Sequence, residues 1–234
     1  MNRKLLIAVA TIASPLLWGL AAPQAWAAAC PSPSTLQSYI PPANLTCEIN
    51  NLQFSMFSLA PGGGTNPPAA NGSSIGVTTV TTLGNEGFDF NPAFSVANGN
   101  TADAAIMFKV VGLNGTLIND LSIAFNGSTN GMGGASTTFS EKYCTIDFNT
   151  GCQTFQVNNP PPMFTQHIPI PNASQLFITK DMTANSGTVG GGGSASISMA
   201  QNQFSSVPEP SSLALLASGL LGLGWLGRRR RKAA

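Results

Sequence analysis

Residues 104–125 read AAIMFKVVGLNGTLINDLSIAF, and this stretch decides the fold class. An apolar run that only Lys109 interrupts covers residues 104–111, and apolar and polar side chains alternate over residues 121–125. Both patterns are typical of β-strands with at least one buried face. Between them lies Asn114-Gly115, a dipeptide that favours the positive φ angles of a type I′ turn. The stretch therefore predicts a β-hairpin.

The same signals recur on both sides of this stretch. Further strands are predicted at 54–59, 75–82, 139–148, 153–157, 176–179 and 195–199. The first of these could be buried on both faces, and the third and fourth form a second hairpin. A short helix is expected only within residues 33–39. Short strands separated by Gly, Asn and Pro predict a mainly β fold, a single antiparallel β-sandwich of jelly-roll-like type.

Three segments have the composition of loops: 61–74, 126–136 and 185–194. The last one, NSGTVGGGGS, resembles a flexible linker. We favour a loop inside the sandwich, because the strand-forming stretch 195–204 follows it. Residues 205–207 would then connect the domain to the C-terminal tail.

The N-terminus has the three parts of a secretory signal peptide. Arg3 and Lys4 precede an apolar run, which ends in Ala25-Trp26-Ala27. Residues 1–27 are therefore predicted to be a signal peptide cleaved after Ala27. An uncleaved signal anchor is the alternative, and a lipoprotein at Cys30 is weaker because the preceding residues make a poor lipobox.

All four cysteines lie in the predicted exported part, which indicates two disulfides in an oxidising compartment. Three pairings are possible, and we favour Cys30–Cys47 and Cys144–Cys152 because each closes a short loop. Zinc is a weak alternative, because the chain has no Cys-x-x-Cys spacing and its single histidine is His167. No cofactor or metal is predicted.

The last 28 residues, 207–234, contain three parts in a fixed order. The first is the triplet Pro208, Glu209 and Pro210. An uncharged run of about 17 residues follows at 211–227, which as a helix would extend roughly 26 Å against a hydrocarbon core of about 30 Å. The run ends in a basic cluster, Arg228, Arg229, Arg230, Arg231 and Lys232, predicted to hold the tail 228–234 in the cytoplasm. A buried apolar helix with a basic end is the alternative.

This order resembles a PEP-CTERM sorting signal, which an exosortase of Gram-negative bacteria recognises. The resemblance implies export through the Sec translocon, cleavage by signal peptidase and a precursor anchored in the inner membrane. Processing by exosortase and location at the cell surface or outside the cell would follow. It also implies exopolysaccharide as a further partner.

The exported region is similar to a broad group of PEP-CTERM proteins of unknown function. The shared elements are Cys30, Leu36, Tyr39, Cys47, Phe54-Ser55-Met56-Phe57, Asp103, Glu141-x-x-Cys144, Lys180-Asp181, Ala195-Ser196-Ile197-Ser198 and Phe204. The resemblance implies a β-sandwich with a role at the surface and brings no catalytic residues.

Residues 28–206, the predicted secreted domain, contain three lysines, no arginine and eight acidic residues, a net charge of −5. This balance argues against nucleic acid as a partner. His167 lies in a proline-rich stretch and is expected to be a solvated loop histidine. Glu86 and Asp89 are the most suggestive carboxylate pair for glycoside hydrolysis.

No residue is therefore predicted to be catalytic, and the chain is not expected to be an enzyme. We expect a non-enzymatic surface or extracellular-matrix protein associated with exopolysaccharide or biofilm. The alternative is a secreted carboxylate-dependent glycoside hydrolase or a carbohydrate-binding protein.

Overall fold

The computed structural model describes residues 27–61, 71–82 and 84–207, and within them the chain is almost entirely β. The strands are β1 Ala28–Ala29, β2 Ser34–Thr35, β3 Cys47–Ile49, β4 Leu52–Pro61, β5 Gly76–Thr82, β6 Asn85–Asn91, β7 Phe94–Ala97, β8 Thr101–Gly112, β9 Leu117–Thr129, β10 Ser136–Asp147, β11 Thr150–Asn158, β12 Phe164–Ala173, β13 Gln175–Asn185 and β14 Ser194–Val207. Two single 3₁₀ turns cover Leu36–Ser38 and Met132–Gly134. The first lies within the segment where a short helix was expected.

The strands form two sheets that pack on each other in a sandwich-like fold. Sheet A has the order β1-β3-β4-β8-β13-β10-β11, and sheet B has the order β12-β9-β14-β6-β5-β2, with β7 pairing onto β14. Every strand pair is antiparallel except β1 with β3. The mainly β, sandwich-like prediction is confirmed.

Strand β8 shows why the sequence forms this layer. Ala104, Ile106, Phe108 and Val110 are fully buried, whereas the residues between them are only partly buried. This period of two places one face of the strand against the core and leaves Lys109 on the other face. The apolar run therefore reflects a half-buried strand in the middle of sheet A.

Aromatic side chains from both sheets meet in the core. Phe54 and Phe108 of sheet A contact Phe88 of sheet B, with ring centroids 4.8 Å and 6.2 Å away respectively. Phe204 of sheet B lies 5.9 Å from Phe54. These pairs contribute packing beyond the apolar area that they bury.

The predicted hairpin at Asn114-Gly115 is wrong, although the turn itself has the expected backbone. Both residues have positive φ, 52° and 76°. However, β8 pairs with β4 and β13 in sheet A, while β9 pairs with β12 and β14 in sheet B. The tight turn therefore passes the chain from one sheet to the other.

The sequence of residues 54–59 allowed a strand buried on both faces, but strand β4 is buried on one face only. Its pairing with β8 shifts register between Ser55 and Ser58. Within that bulge Met56 has φ 57° and is exposed, so Phe54 and Phe57 both point into the core. The bulge converts an apparent two-sided pattern into a single buried face.

Part of one predicted loop and the predicted connector extend the sandwich instead. Residues 126–129 continue β9, and residues 205–207 continue β14 as strand rather than serving as a connector. The hairpin of β10 with β11 is confirmed. The glycine-rich loop after β13 packs against the loop between β9 and β10, where the Thr188 N–H donates a hydrogen bond to the Gly133 carbonyl at 2.8 Å. The prediction that residues 185–194 form a loop inside the sandwich is therefore confirmed.

Several predicted segments lie wholly or almost wholly outside the described residues. They are the signal peptide, the membrane helix about 211–227 and the basic tail 228–234, together with most of the loop 61–74. Among the described residues, no helix is long and apolar enough to cross a membrane.

Candidate functional site

The predicted sorting residues follow directly after an internal strand. Strand β14 lies between β9 and β6 in sheet B, and its last residue, Val207, pairs with Leu117 of β9. Pro208, Glu209 and Pro210 come next in the sequence but lie outside the described residues, as does the basic cluster 228–232. The sorting segment is therefore joined to the sandwich at the end of a paired strand.

Both disulfides are present with the favoured pairings, and each ties an edge of sheet A. Cys30 follows β1 and bonds to Cys47 of β3, with Cα atoms 4.8 Å apart. Cys144 of β10 and Cys152 of β11 face each other across the strand pair, with their Cα atoms 4.0 Å apart. Ala28, the residue that cleavage after Ala27 would leave first, begins β1 beside one of these disulfides.

The structure does not bring Glu86 and Asp89 together as a carboxylate pair. Three residues apart on β6, they point to opposite faces of the sheet. Glu86 is buried and its Oε1 accepts hydrogen bonds from Asn50 Nδ2 and Gly84 N–H, both at 2.9 Å. Asp89 lies on the outer face and accepts a hydrogen bond from Gln201. Glu86 thus ties the tight turn between β5 and β6 to the sandwich.

His167 lies on a strand and not in a loop, although it is exposed as predicted. It belongs to β12, the edge strand of sheet B, where prolines are tolerated because one side of the strand is unpaired. Its Nδ1 lies 3.4 Å from Asp120 Oδ2, and its side chain is 73% exposed. Ser205 Oγ also contacts this carboxylate, at 3.5 Å.

These three side chains contain the groups of a catalytic triad in the wrong order. In a triad the histidine lies between the serine and the carboxylate, so that it can take the hydroxyl proton. Here the carboxylate of Asp120 lies between His167 and Ser205. The cluster therefore forms polar contacts on the outer face of sheet B in an order that differs from a catalytic triad.

A pair of carboxyl groups lies on the outer face of sheet A. Asp103 of β8 and Asp181 of β13 are diagonal neighbours, and Thr183 Oγ1 donates to Asp103 Oδ1 at 2.8 Å. Desolvation, followed by the charge of Asp103 and a hydrogen bond with it, raises the pKa of Asp181 to about 6.

Three polar side chains meet inside the apolar core. Glu141 on β10, Lys180 on β13 and Asn202 on β14 are each completely buried. Lys180 Nζ donates to Glu141 Oε2 and Asn202 Nδ2 donates to Glu141 Oε1, both at 2.7 Å. The cluster joins sheet A to sheet B, and the Lys180 Nζ also lies 4.3 Å from the centre of the Phe139 ring.

The sequence contains a signal for this cluster in the alternation of its strands. Each of the three residues occupies a position in phase with buried apolar neighbours on its strand. Lys180 lies between Ile178 and Met182, and Asn202 lies between Ala200 and Phe204, all on the buried face. A polar residue in that phase must be paired inside the protein, because burying it alone is unfavourable.

The described residues contain no group of three or more His, Cys, Asp or Glu side chains placed to hold a metal ion.

Residues 206–231 match the PEP-CTERM protein-sorting motif. The chain thus carries a PEP-CTERM sorting motif in its last residues, and this motif indicates export and a membrane-anchored precursor that an exosortase processes. No curated protein is detectably similar to the chain.

Similarity to solved structures is weak. TmCBM61 in complex with β-1,4-galactotriose has 10% identity and TM-score 0.33, covering 62% of this chain and 86% of its own. The family 11 carbohydrate-binding module from Clostridium thermocellum has 12% identity and TM-score 0.25, covering 66% and 89%. Tailspike protein 4 of bacteriophage CBA120 has 15% identity and TM-score 0.25, covering 67% and 20%. These scores are too low to support a conclusion about fold or ligand.

Proposed function

We propose that this chain is a non-enzymatic surface or extracellular-matrix protein of a Gram-negative bacterium, associated with exopolysaccharide or biofilm. The single observation that carries the proposal is the match of residues 206–231 to the sorting motif, which begins in the last two residues of β14. In this proposal the Sec translocon exports the chain, signal peptidase cleaves after Ala27, and residues 211–227 hold the precursor in the inner membrane. Exosortase then removes the tail.

The disulfides support the exported location. The cytosol keeps thiols reduced, whereas the periplasm and the outside of the cell allow stable disulfides. Cys30–Cys47 and Cys144–Cys152 each link the outer two strands at one edge of sheet A, which limits separation of these strands. Repeated crossing of the chain between the two sheets also supports the jelly-roll-like arrangement as the finer description of the sandwich.

Replacing Pro208, Glu209 and Pro210 together with alanine tests the sorting step. The variant is expected to accumulate as a membrane-held precursor that keeps the basic tail, since exosortase would no longer recognise it. Membrane fractionation and intact mass of the product measure this. Ser206→Ala, inside the matched span but before the triplet, is the matched control and should be processed normally.

Unchanged processing of the triplet variant would contradict the role of the motif. Changing the five basic residues at 228–232 to glutamine is a separate test of topology. The variant should lose its fixed orientation in the membrane, because cytoplasmic cations set that orientation. Normal topology would count against a membrane-spanning tail.

A carbohydrate-binding function is the second candidate, and the outer face of sheet B favours it. Gln201 and Gln203 of β14 lie on this face, and Gln201 is paired with Asp89 of β6, so amide and carboxylate groups lie together on neighbouring strands. Such groups can hydrogen-bond to sugar hydroxyls. Pull-down on insoluble polysaccharides should be weakened by Gln203→Ala and unaffected by Lys142→Gln on the other sheet.

The hydrolase alternative is tested with the same purified protein. Product release from polysaccharides that disappears in Glu86→Gln or Asp89→Asn would overturn the non-enzymatic proposal. The opposite orientation of these two side chains argues against that result.

A further inference from the structure

The buried cluster of Glu141, Lys180 and Asn202 has the composition of a reaction centre as well as of a structural contact. One carboxyl group holds an amine on one oxygen and a carboxamide on the other, both at 2.7 Å. Lys180 Nζ also lies 3.4 Å from the main-chain carbonyl oxygen of Gln201, the residue before Asn202. The amine therefore lies beside the strand that carries the carboxamide.

The strand pairing fixes this meeting point. Glu141 and Lys180 are direct partners across β10 and β13 of sheet A, and Asn202 reaches them from β14 of sheet B. All three have zero exposure, so the groups are held together away from bulk water. Such fixed proximity can replace the entropy loss of a bimolecular encounter.

Asn202 Oδ1 is buried without a hydrogen-bond partner, which is unfavourable for a carbonyl oxygen. The oxygen and nitrogen of a carboxamide exchange places when the group turns over. In that orientation Oδ1 faces Glu141 Oε1, and a protonated Glu141 would donate a hydrogen bond to it. The site thus accommodates a neutral acid that polarises the carbonyl of Asn202.

Burial also favours the protonation states that a reaction needs. Desolvation raises the pKa of the Glu141 carboxyl, although Lys180 opposes this. Desolvation lowers the pKa of the Lys180 amine, although Glu141 opposes this. Both directions favour transfer of a proton from the ammonium to the carboxylate, which leaves a nucleophilic amine beside a neutral acid.

We propose that Lys180 and Asn202 become joined by an intramolecular isopeptide bond, with Glu141 as the catalytic residue. The lone pair of Nζ attacks Cγ of Asn202, and the acid of Glu141 stabilises the developing charge on Oδ1. Glu141 then passes a proton from Nζ to Nδ2. The Nζ–Cγ bond forms, the Cγ–Nδ2 bond breaks, and ammonia leaves.

The reaction needs no oxidant, metal or cofactor, because an amide and an amine give an amide and ammonia. The product would link β13 of sheet A covalently to β14 of sheet B through the middle of the core. This proposal goes beyond sorting and export and is independent of them, since it rests on the contacts in the core alone.

Mass spectrometry of the exported protein, reduced and denatured, tests the proposal. The linked chain is lighter than its sequence by the mass of one ammonia molecule. Ammonia is also lost when an Asn-Gly pair forms a succinimide, so a second readout is needed. Trypsin cannot cut after an acylated lysine, so the peptide that begins at Tyr143 should continue past Lys180 and include Asn202, with the new bond closing a loop between these two residues.

Release of a peptide 143–180 from the wild-type protein would overturn the proposal. The variant Asn202→Ala keeps the Lys180-Asp181 bond and removes the acyl group, so it should release that peptide. Glu141→Gln should likewise lose most of the linkage. Lys142→Gln removes a neighbouring lysine on the outer face and should keep the linkage. Because it also removes the cleavage site before Tyr143, the linkage is read in this variant from the absence of a peptide 110–180.

Digestion of the wild-type protein tests the Lys180–Asn202 linkage even if a core variant fails to fold, because its result does not depend on any variant. Failure of Asn202→Ala to release peptide 143–180 would show that Lys180 is blocked in another way and would overturn the assignment of Asn202. Full linkage in Glu141→Gln would overturn the role of Glu141.

Discussion

Replacing Asp103 with asparagine perturbs the carboxyl pair on the outer face of sheet A and should change how stability depends on pH. In the folded protein the pKa of Asp181 is about 6, through desolvation first and then through the charge of Asp103 and the hydrogen bond with it. In an unfolded chain an aspartate titrates near 3.9. The folded state therefore binds the proton of Asp181 more tightly.

The sign of the effect follows from this difference. The contribution of Asp181 to the free energy of unfolding is fully present below about pH 4 and is lost as the pH rises through about 6. The difference between the folded and unfolded pKa of Asp181 corresponds to roughly 3 kcal/mol before screening by water is taken into account. Because the Asp181 side chain is exposed, screening by water reduces the expected effect to about 1 kcal/mol.

The substitution removes the like charge but leaves the desolvation. In Asp103→Asn the pKa of Asp181 should therefore fall toward its ordinary value without reaching it. The loss of stability between about pH 4 and about pH 6 should shrink by roughly 0.5 kcal/mol. Urea unfolding of the exported protein across this range measures the change, and carbon NMR titration of Asp181 measures the pKa directly.

Asp147→Asn is the matched control, because Asp147 lies far along β10 at the hairpin with β11, and the Asn149 N–H lowers its pKa. That variant should keep the decline between about pH 4 and about pH 6 that Asp181 causes. The reasoning is refuted if Asp181 titrates at its ordinary value beside Asp103. Identical pH profiles for the wild type and Asp103→Asn would also refute it.

Three further changes test the packing. Phe88→Ala should lower the free energy of unfolding by about 3–5 kcal/mol, measured in urea, because its ring fills the centre of the aromatic cluster; a cost near zero would contradict that position. Removing Cys144–Cys152 by a double serine substitution should cost about 2–3 kcal/mol, since the bond closes a loop with a sequence separation of 8, and an unchanged unfolding midpoint would argue against this. Gly87→Ala places a Cβ 1.9 Å from a β14 carbonyl oxygen and should cost about 2 kcal/mol or more, whereas Gly76→Ala, whose nearest contact is 3.5 Å, should be nearly neutral; equal melting temperatures for both would be inconsistent with this contact.

The strands were predictable where one local pattern decides them. β8 and the hairpin of β10 with β11 follow from apolar periodicity and turn residues within a few positions of each other. The partner of a strand is not local information. Asn114-Gly115 makes the expected turn, yet β8 and β9 enter different sheets. β8 pairs with β13 and β9 pairs with β14, each more than 60 residues away along the chain.

The same limit applies to the sites. The sorting motif is contiguous, so the sequence alone predicted it, and residues 206–231 match it. The cluster of Glu141, Lys180 and Asn202 depends on two sheets meeting, and the pairing across the sandwich cannot be read from any one strand. What the sequence does contain is the phase of each residue among apolar neighbours.

The position of β14 has a mechanical consequence. Tension applied to the C-terminal segment enters the domain at Val207 and runs along the strand axis. β14 is hydrogen-bonded to β9 on one side and to β6 and β7 on the other. Pulling along the axis loads both rows of bonds in shear, so that many must rupture at once, whereas an edge strand pulled sideways would unzip bond by bond. The strand that leads into the sorting segment is therefore placed to withstand force while the tail is held.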